Sequence, residues 1–204
     1  METTTFCFES LSKFLLAFDK PGSVVLLEGK RKVTPTDIEK LVQLGRLLAE
    51  SSKFIKFRSG NATGADEYFS SGVAAVDSSR LEIITPYASH RISARQASQS
   101  YSMDEISLAE EPEVVYHSRQ NAGMSGLVDK YLKEGRNSLT VKAAYIIRDT
   151  VKVSGTRSGI PPASVALFYD DLEKPVQGGT GHTIRTCDGL NIPYCNQSVW
   201  ANWL

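Results

Sequence analysis

RSGNATGAD, residues 58–66, decides the fold class of this 204-residue chain: a glycine-rich turn stands between an apolar run ending at Phe57 and a helix-like run starting at Ala65. Glycine permits positive φ and close backbone approach, and the helix that follows offers unpaired N–H groups and a partial positive charge to an anion. A second segment of this kind, GGTGHT at 178–183, follows the apolar run Val165 to Tyr169. Both have the strand-to-helix placement at which α/β proteins hold phosphates. The expected partner is therefore a nucleotide or another phosphorylated small molecule.

Outward from the first segment, strands and helices alternate. Val24 to Leu27 is an unbroken apolar run of the kind buried on both faces, and it ends in Gly29, Lys30, Arg31 and Lys32. Thr34-Pro35-Thr36-Asp37 supplies helix-start residues before Ile38, Leu41, Val42, Leu44, Leu47 and Leu48 at helical spacing. Phe54 to Phe57 reads as a second strand. Ala65, Phe69, Val73 and Val76 form one face of a helix, and Leu81 to Thr85 is a third strand stopped by Pro86. This order predicts a Rossmann-like α/β fold: a mainly parallel, twisted sheet with helices on both faces and right-handed crossovers.

Ser89 to Gln120 is polar, with His90, Arg91, Arg95 and an acidic cluster from Asp104 to Glu113. A structureless loop of that length is unusual inside a domain, so an insertion or lid with some helix is expected around 88–137. Helices are predicted over Met124 to Glu134, Leu139 to Asp149 and Thr180 to Leu190, and strands over Val165 to Tyr169 and Ile192 to Cys195. Trp200 and Trp203 are expected to cover the sheet edge or a subunit interface. With no internal repeat or linker, residues 1–204 read as one domain.

Composition narrows the partners. The 23 basic and 23 acidic side chains cancel, so no net field draws the chain to nucleic acid or an anionic membrane. Cys7, Cys187 and Cys195 lack metal-ligand spacing and suit a reducing compartment, so the expected location is cytoplasmic. Glu9, Lys13 and Asp19 interrupt the apolar N-terminal stretch, which argues against a signal peptide or membrane span. The three histidines and three cysteines never approach ligand spacing, so no metal site and no cofactor are expected. Nucleophile-elbow and Walker sequences are absent.

The strand ending in a glycine-plus-basic loop, the SGNATGAD segment and GGTGHT together resemble the SLOG superfamily. That superfamily has a Rossmann-like fold and includes the Lonely Guy phosphoribohydrolases, the Rossmann domain of DNA-processing protein A and many small uncharacterised members. The resemblance covers Val24 to Thr85 and Val165 to Trp203. It implies that Gly178, Gly179 and Gly181 are the glycines of the phosphate-binding GGxGT signature, with His182 where the signature has threonine. The hydrolases' GGxGTxxE motif has its glutamate where this chain has Arg185. Phosphate binding tolerates that change, since an arginine can pair with a phosphate in bidentate fashion, but the family's hydrolytic carboxylate is missing from its place.

The candidate ligand-binding residues are Gly29 and Arg31 after the first strand, then Ser59, Gly60, Asn61, Ala62, Thr63 and Gly64 in the first segment. Asp66 and Glu67 follow in the first turn of the next helix, where the helix dipole alone also favours acids. Arg91 stands on the same rim after the third strand, and Gly178, Gly179, Thr180, Gly181, His182, Thr183 and Arg185 complete the set. Three functions stay open. The first is binding of a nucleotide or nucleotide-derived ligand. The second is an N-glycosidic hydrolase or transferase acting on a nucleoside 5′-monophosphate, with Glu67 as its base. The third is single-stranded DNA binding, which neutral charge disfavours. No catalytic residue is assigned. The resemblance and the aromatic tail together suggest a homodimer.

Overall fold

The computed structural model describes residues 8–121 and 123–204, so Phe6 and Cys7 of the N-terminal stretch lie outside the described residues. In chain order the elements are α1 (Leu11–Phe18), β1 (Val24–Gly29), α2 (Pro35–Ser51), β2 (Lys56–Ser59), α3 (Ala65–Asp77), β3 (Leu81–Thr85) and β4 (Gln99–Ser102). They continue with α4 (Pro112–Arg119), α5 (Ser125–Glu134), α6 (Val141–Ser154), β5 (Val165–Tyr169), α7 (Gly178–Leu190), β6 (Tyr194–Asn196) and α8 (Gln197–Trp200).

The strands form one parallel sheet in the order β4-β3-β2-β1-β5-β6. From β1 the chain steps outward to β4, then returns through α4, α5 and α6 to lay β5 on the other side of β1. The winding direction therefore reverses between β1 and β5. In open α/β sheets that reversal leaves a crevice beyond the carboxyl ends of the strands. The architecture is the Rossmann-like α/β fold.

Strand alternation sorts the core into two layers. Val25 and Leu27 of β1 pack with Leu41, Leu44 and Leu48 of α2 and with Phe69 and Val73 of α3. Leu26 faces the opposite layer with Ala166, Phe168, Val153, Ile184 and Cys187. Ile84, Ala143, Ala144, Ile147 and Val151 extend that second layer beneath α4 and α5. By the same alternation Glu28, two residues after Leu26, points toward α6 and α7 rather than toward α2 and α3. A charge at the end of an apolar strand is thereby delivered to the crevice side.

Several elements differ from their predicted spans for identifiable reasons. β2 starts at Lys56 rather than Phe54, because the Asp19 carboxylate accepts the amides of Lys53, Phe54 and Ile55. Those amides cannot also serve a ladder. α6 runs on to Ser154, where Gly155 with φ 65° ends it, because Val151 and Val153 supply further buried contacts. α7 starts at Gly178, so the glycines form its first turn. β4 carries the polar sequence QSYS, which has no apolar pattern to betray an edge strand. The aromatic tail folds back on its own chain: Trp200 is buried and donates to the Phe168 carbonyl at 2.9 Å, and Trp203 donates to Phe8 at 3.2 Å. That placement removes the tail as a reason to expect a homodimer.

α2 and α3 approach so closely that two glycines are required. A Cβ on Gly45 would lie inside contact distance of the Phe69 carbonyl, and one on Gly72 inside that of the Val42 carbonyl. Backbone obstructs both, so no rotamer change relieves the clash. Gly72→Ala should cost about 1–3 kcal/mol or more through overpacking, although alanine is the better helix former. Urea unfolding measures it, and an unchanged midpoint would refute the close contact.

Candidate functional site

A cleft of about 890 Å³ opens at the reversal point. Its floor is a buried ion network built from three elements. Lys152 of α6, only 1% exposed, places Nζ 2.6 Å from Glu28 Oε2 and 2.8 Å from Asp149 Oδ1. Arg148 Nε lies 3.0 Å from the same Asp149 oxygen, and Arg148 Nη1 donates to the Gly60 carbonyl at 2.6 Å. Thr183 of α7 donates to Glu28 Oε1 at 3.0 Å. Arg148, Asp149 and Lys152 stand at i, i+1 and i+4 of one helix, so the helical period itself assembles part of the network.

Burial and charge pull these groups in opposite directions. Desolvation pushes the Glu28 carboxyl up to about 7, against the pull of Lys152. Desolvation also opposes the ionised Asp149, but Arg148 and Lys152 overcome it and hold that carboxyl below its usual range. The Lys152 ammonium is likewise raised despite burial, chiefly by Asp149 and then Glu28. Below the cleft floor, Arg58 and Glu82 form a separate buried pair across β2 and β3, and Arg58 Nη1 donates to the Lys152 carbonyl at 3.0 Å.

The first glycine-rich segment is filled from within. Asp66 accepts the Gly60 amide at 3.1 Å and the Ala62 amide at 3.4 Å on one oxygen, and the Gly29 amide at 3.2 Å on the other. A carboxylate of the chain itself thus sits on the donors that the sequence suggests for a phosphate. The glycines here serve packing. A Cβ on Gly60 would collide with the Arg148 guanidinium, and one on Gly64, at φ +85°, with the Arg31 backbone.

The second segment is open. Gly178 and Gly179 are exposed at the start of α7, and Gln177 provides no side-chain cap. The Gly181 amide already reaches the Gln177 carbonyl at 2.9 Å. The amides of Gly178, Gly179 and Thr180 therefore have no helical acceptor, and none is bonded among the described residues. A Cβ on Gly178 would meet nothing within 4 Å, and one on Gly179 would meet only Asp149 Oδ2, at 3.2 Å. The preceding residue, Val176, has φ 59°, a left-handed conformation costly for a β-branched side chain. Its amide is held by Asp170 at 2.9 Å and its carbonyl by Arg185 at 3.0 Å. Strain of this kind persists where the surroundings over-determine the backbone, often at ligand sites. Exposed Lys142 of α6, Arg31 after β1 and Arg185 of α7 line the same cleft, as does half-buried Lys30.

Of the residues singled out from sequence, the cleft gathers Gly29, Arg31, Ala62, Asp66, Gly178, Gly179, Thr180 and Arg185. Others lie elsewhere. Ser59 is buried beneath the segment, and Thr63 is exposed outside the cleft. Asn61, Glu67 and Arg91 interlock: Arg91 pairs with Glu67 at 2.8 Å and donates to the Asn61 carbonyl at 3.0 Å. Glu67, expected as a base, is thus paired with Arg91 and does not line the cleft. Gly181 packs against Val176. Thr183 serves Glu28. His182 faces away from the glycines, buried with Nε2 2.9 Å from the Thr150 hydroxyl.

Sequence reading missed Glu28, Arg148, Asp149, Lys152, Lys142, Tyr145, Asn121 and Met124, all of which line the cleft. One signal was available for the floor. Glu28 closes an apolar strand, and Lys152 lies between Val151 and Val153, so both charges occur where a solvated face is not expected.

The titrating groups predict an acid-sensitive fold. Burial holds His90 and His182 at about 4, below the unfolded value of 6.5. Their contribution is complete above pH 6.5 and is lost as pH falls toward 4, because the unfolded chain binds more protons there. Glu28 acts with the opposite sign: its raised value makes stability fall as pH rises from 4.5 to about 7. Two histidines outweigh one glutamate, so the melting temperature should drop on acidification from pH 6.5 to 4.5. The drop should be smaller in His182→Gln, and an equal drop in both proteins would refute a neutral buried His182.

No family model and no curated protein matches the chain. Among solved structures, it is similar to DNA processing protein A from Helicobacter pylori, a protein with a single-stranded DNA binding mode. Identity is 16% and the TM-score 0.46, over 87% of this chain and 66% of that one, so it spans just under two thirds of that protein's length. It is also similar to the molybdenum cofactor binding protein from the phototrophic bacterium Rippkaea orientalis, at 15% identity and TM-score 0.49, over 88% and 83% of the two chains. Likenesses this distant concern the fold alone. Among the described residues no helix is long and apolar enough to cross a membrane, and no cluster of His, Cys, Asp and Glu could hold a metal ion.

Proposed function

We propose that the protein binds a nucleotide or nucleotide-derived phosphorylated ligand in the cleft between β1 and β5, with its phosphate on the first turn of α7. The observation that carries this reading is the contrast between the two glycine-rich segments. Asp66 occupies the amides of the first, while those of the second open into a cleft rimmed by Lys30, Arg31, Lys142 and Arg185. Unpaired helix amides and a surplus of cations favour an anion over a neutral or cationic ligand. Tyr145, Ile146, Met124 and Asn121 line the same space and offer an aromatic and amide surface to a base. A cleft of about 890 Å³ has room for both ends of such a molecule.

A second reading, cleavage at an N-glycosidic bond, is favoured by one specific feature. Glu28 and Asp149 bring carboxylates to the cleft although the position of the motif glutamate is Arg185. Of the two, Asp149 is held ionised by Arg148 and Lys152 and would stabilise a developing oxocarbenium charge on a ribose.

A thermal-shift panel of nucleoside mono- and diphosphates, their phosphate-free nucleosides and a short single-stranded oligonucleotide tests both readings. A true ligand at about a hundred times its Kd stabilises by about 2.7 kcal/mol, or about 5–10 °C in a chain of this size. The expected result is a shift with phosphorylated compounds and none with bare nucleosides. Release of free base from the bound compound would establish turnover. Equal shifts with and without phosphate would refute the reading, as would a response confined to the oligonucleotide.

A further inference from the structure

We propose that anion binding in this cleft is coupled to uptake of a proton by Glu28, so that the site takes up its ligand together with a proton from solvent. The inference rests on the binding reading above and adds the residue through which pH acts on it.

Charge and contact geometry single out Glu28. The buried floor holds three carboxylates, Glu28, Asp66 and Asp149, against two cations, Arg148 and Lys152. Within that floor, as distinct from the cationic rim, one negative charge is in excess before any ligand arrives, and an anion on α7 adds to it in a poorly solvated space where such charges interact strongly. Neutralising one carboxylate relieves the repulsion. Asp66 is held by three backbone amides. Asp149 has both cations within 3.0 Å. Among the described residues, Glu28 has only the Thr183 hydroxyl and a Lys152 ammonium that it shares with Asp149. It is therefore the carboxylate least costly to protonate, and its position near 7 in the free protein agrees with that ranking.

Each element packed against Glu28 presents further polar or charged groups. α6 presents Arg148, Asp149 and Lys152, and α3 presents Asp66. α7 presents Thr183, the Cys187 thiol, which burial pushes up, and beyond them His182, held at about 4. The β5 neighbour in register with Glu28 is Phe168, which does not titrate. A proton entering this cluster between pH 6 and 9 goes to the Glu28 carboxylate.

Inorganic sulfate is a suitable probe because it stays doubly charged across that range. Its affinity, from thermal-shift titrations at pH 6.5 and 8.5, should fall about tenfold at the higher pH in the wild-type protein. In Glu28→Gln it should change less than twofold. A pH-independent affinity in the wild type, or the same tenfold fall in the variant, would overturn the proposal while leaving the anion site in place. Absence of any sulfate binding would overturn the anion site and the proton coupling together. If the variant does not fold, the side-chain carboxyl carbon of Glu28 can be followed by carbon NMR in the wild type. Saturating sulfate should move its titration midpoint up by about one pH unit, and an unmoved midpoint would refute the coupling.

Discussion

Replacing Lys152 with methionine should destabilise the fold by about 3–5 kcal/mol at pH 8, the cost of leaving buried charge without its partner. Methionine keeps most of the stem volume, so the loss reports charge rather than packing. Among the described residues, Lys152 is the one cation that touches both Glu28 and Asp149. Without it, two buried carboxylates share a single arginine. Against a typical total stability of about 5–15 kcal/mol, such a loss should lower the melting temperature by roughly 6–20 °C. The effect should shrink at pH 5, because an unpaired buried carboxylate takes up a proton rather than stay charged. Adding Glu28→Gln to the variant should recover part of the loss at pH 8. Urea unfolding at the two pH values decides the matter: a loss below 1 kcal/mol, or one independent of pH, would contradict the network.

Gly179→Asp should lower affinity for a phosphorylated ligand at least about a hundredfold, since each hydrogen bond to a charged group is worth about 1.5–3 kcal/mol and several converge there. The new carboxylate would lie on the first turn of α7 and compete for the same amides. It would also project from a Cβ 3.2 Å from Asp149 Oδ2 and repel any incoming anion. The helix dipole favours an acidic residue in the first turn by about 0.3–1 kcal/mol, which offsets part of the close contact and like-charge repulsion with Asp149, so the variant's unfolding midpoint is measured beside its affinity. That combination separates a site lesion from a folding lesion. Isothermal titration of wild type and variant measures it, and retained affinity in the variant would remove the phosphate from α7.

The sheet was legible in the sequence because its central strands are buried on both faces. VVLL and VALFY carry their apolar character without interruption, LEIIT breaks it at Glu82, which is buried against Arg58, and glycines follow the two unbroken runs before their helices. β4 was not legible, since an edge strand of Gln, Ser and Tyr satisfies its ladder on one side and needs no apolar face. The site was half legible. Glycine content pointed to both strand-to-helix turns, but composition cannot distinguish a turn whose amides await a ligand from one closed by its own helix. Asp66 makes that difference through a side-chain direction that spacing does not reveal. Local pattern also placed His182 in the ligand loop, whereas the helix beginning at Gly178 rotates it toward Thr150. The ion network was hidden for another reason. Glu28 and Lys152 are over a hundred residues apart in sequence, and only the return crossing through α4, α5 and α6 brings them together.

In the proposed complex the ligand's phosphate sits on α7 and not on the first glycine-rich segment. Backbone amide resonances followed by nitrogen-proton NMR during titration with adenosine 5′-diphosphate test it most directly. The amides of Gly178, Gly179 and Thr180 should move first and furthest, while those of Gly60 and Ala62, held by Asp66, stay in place. Shifts centred on Gly60 and Ala62, or saturating shifts that leave Gly178 to Thr180 untouched, would contradict it.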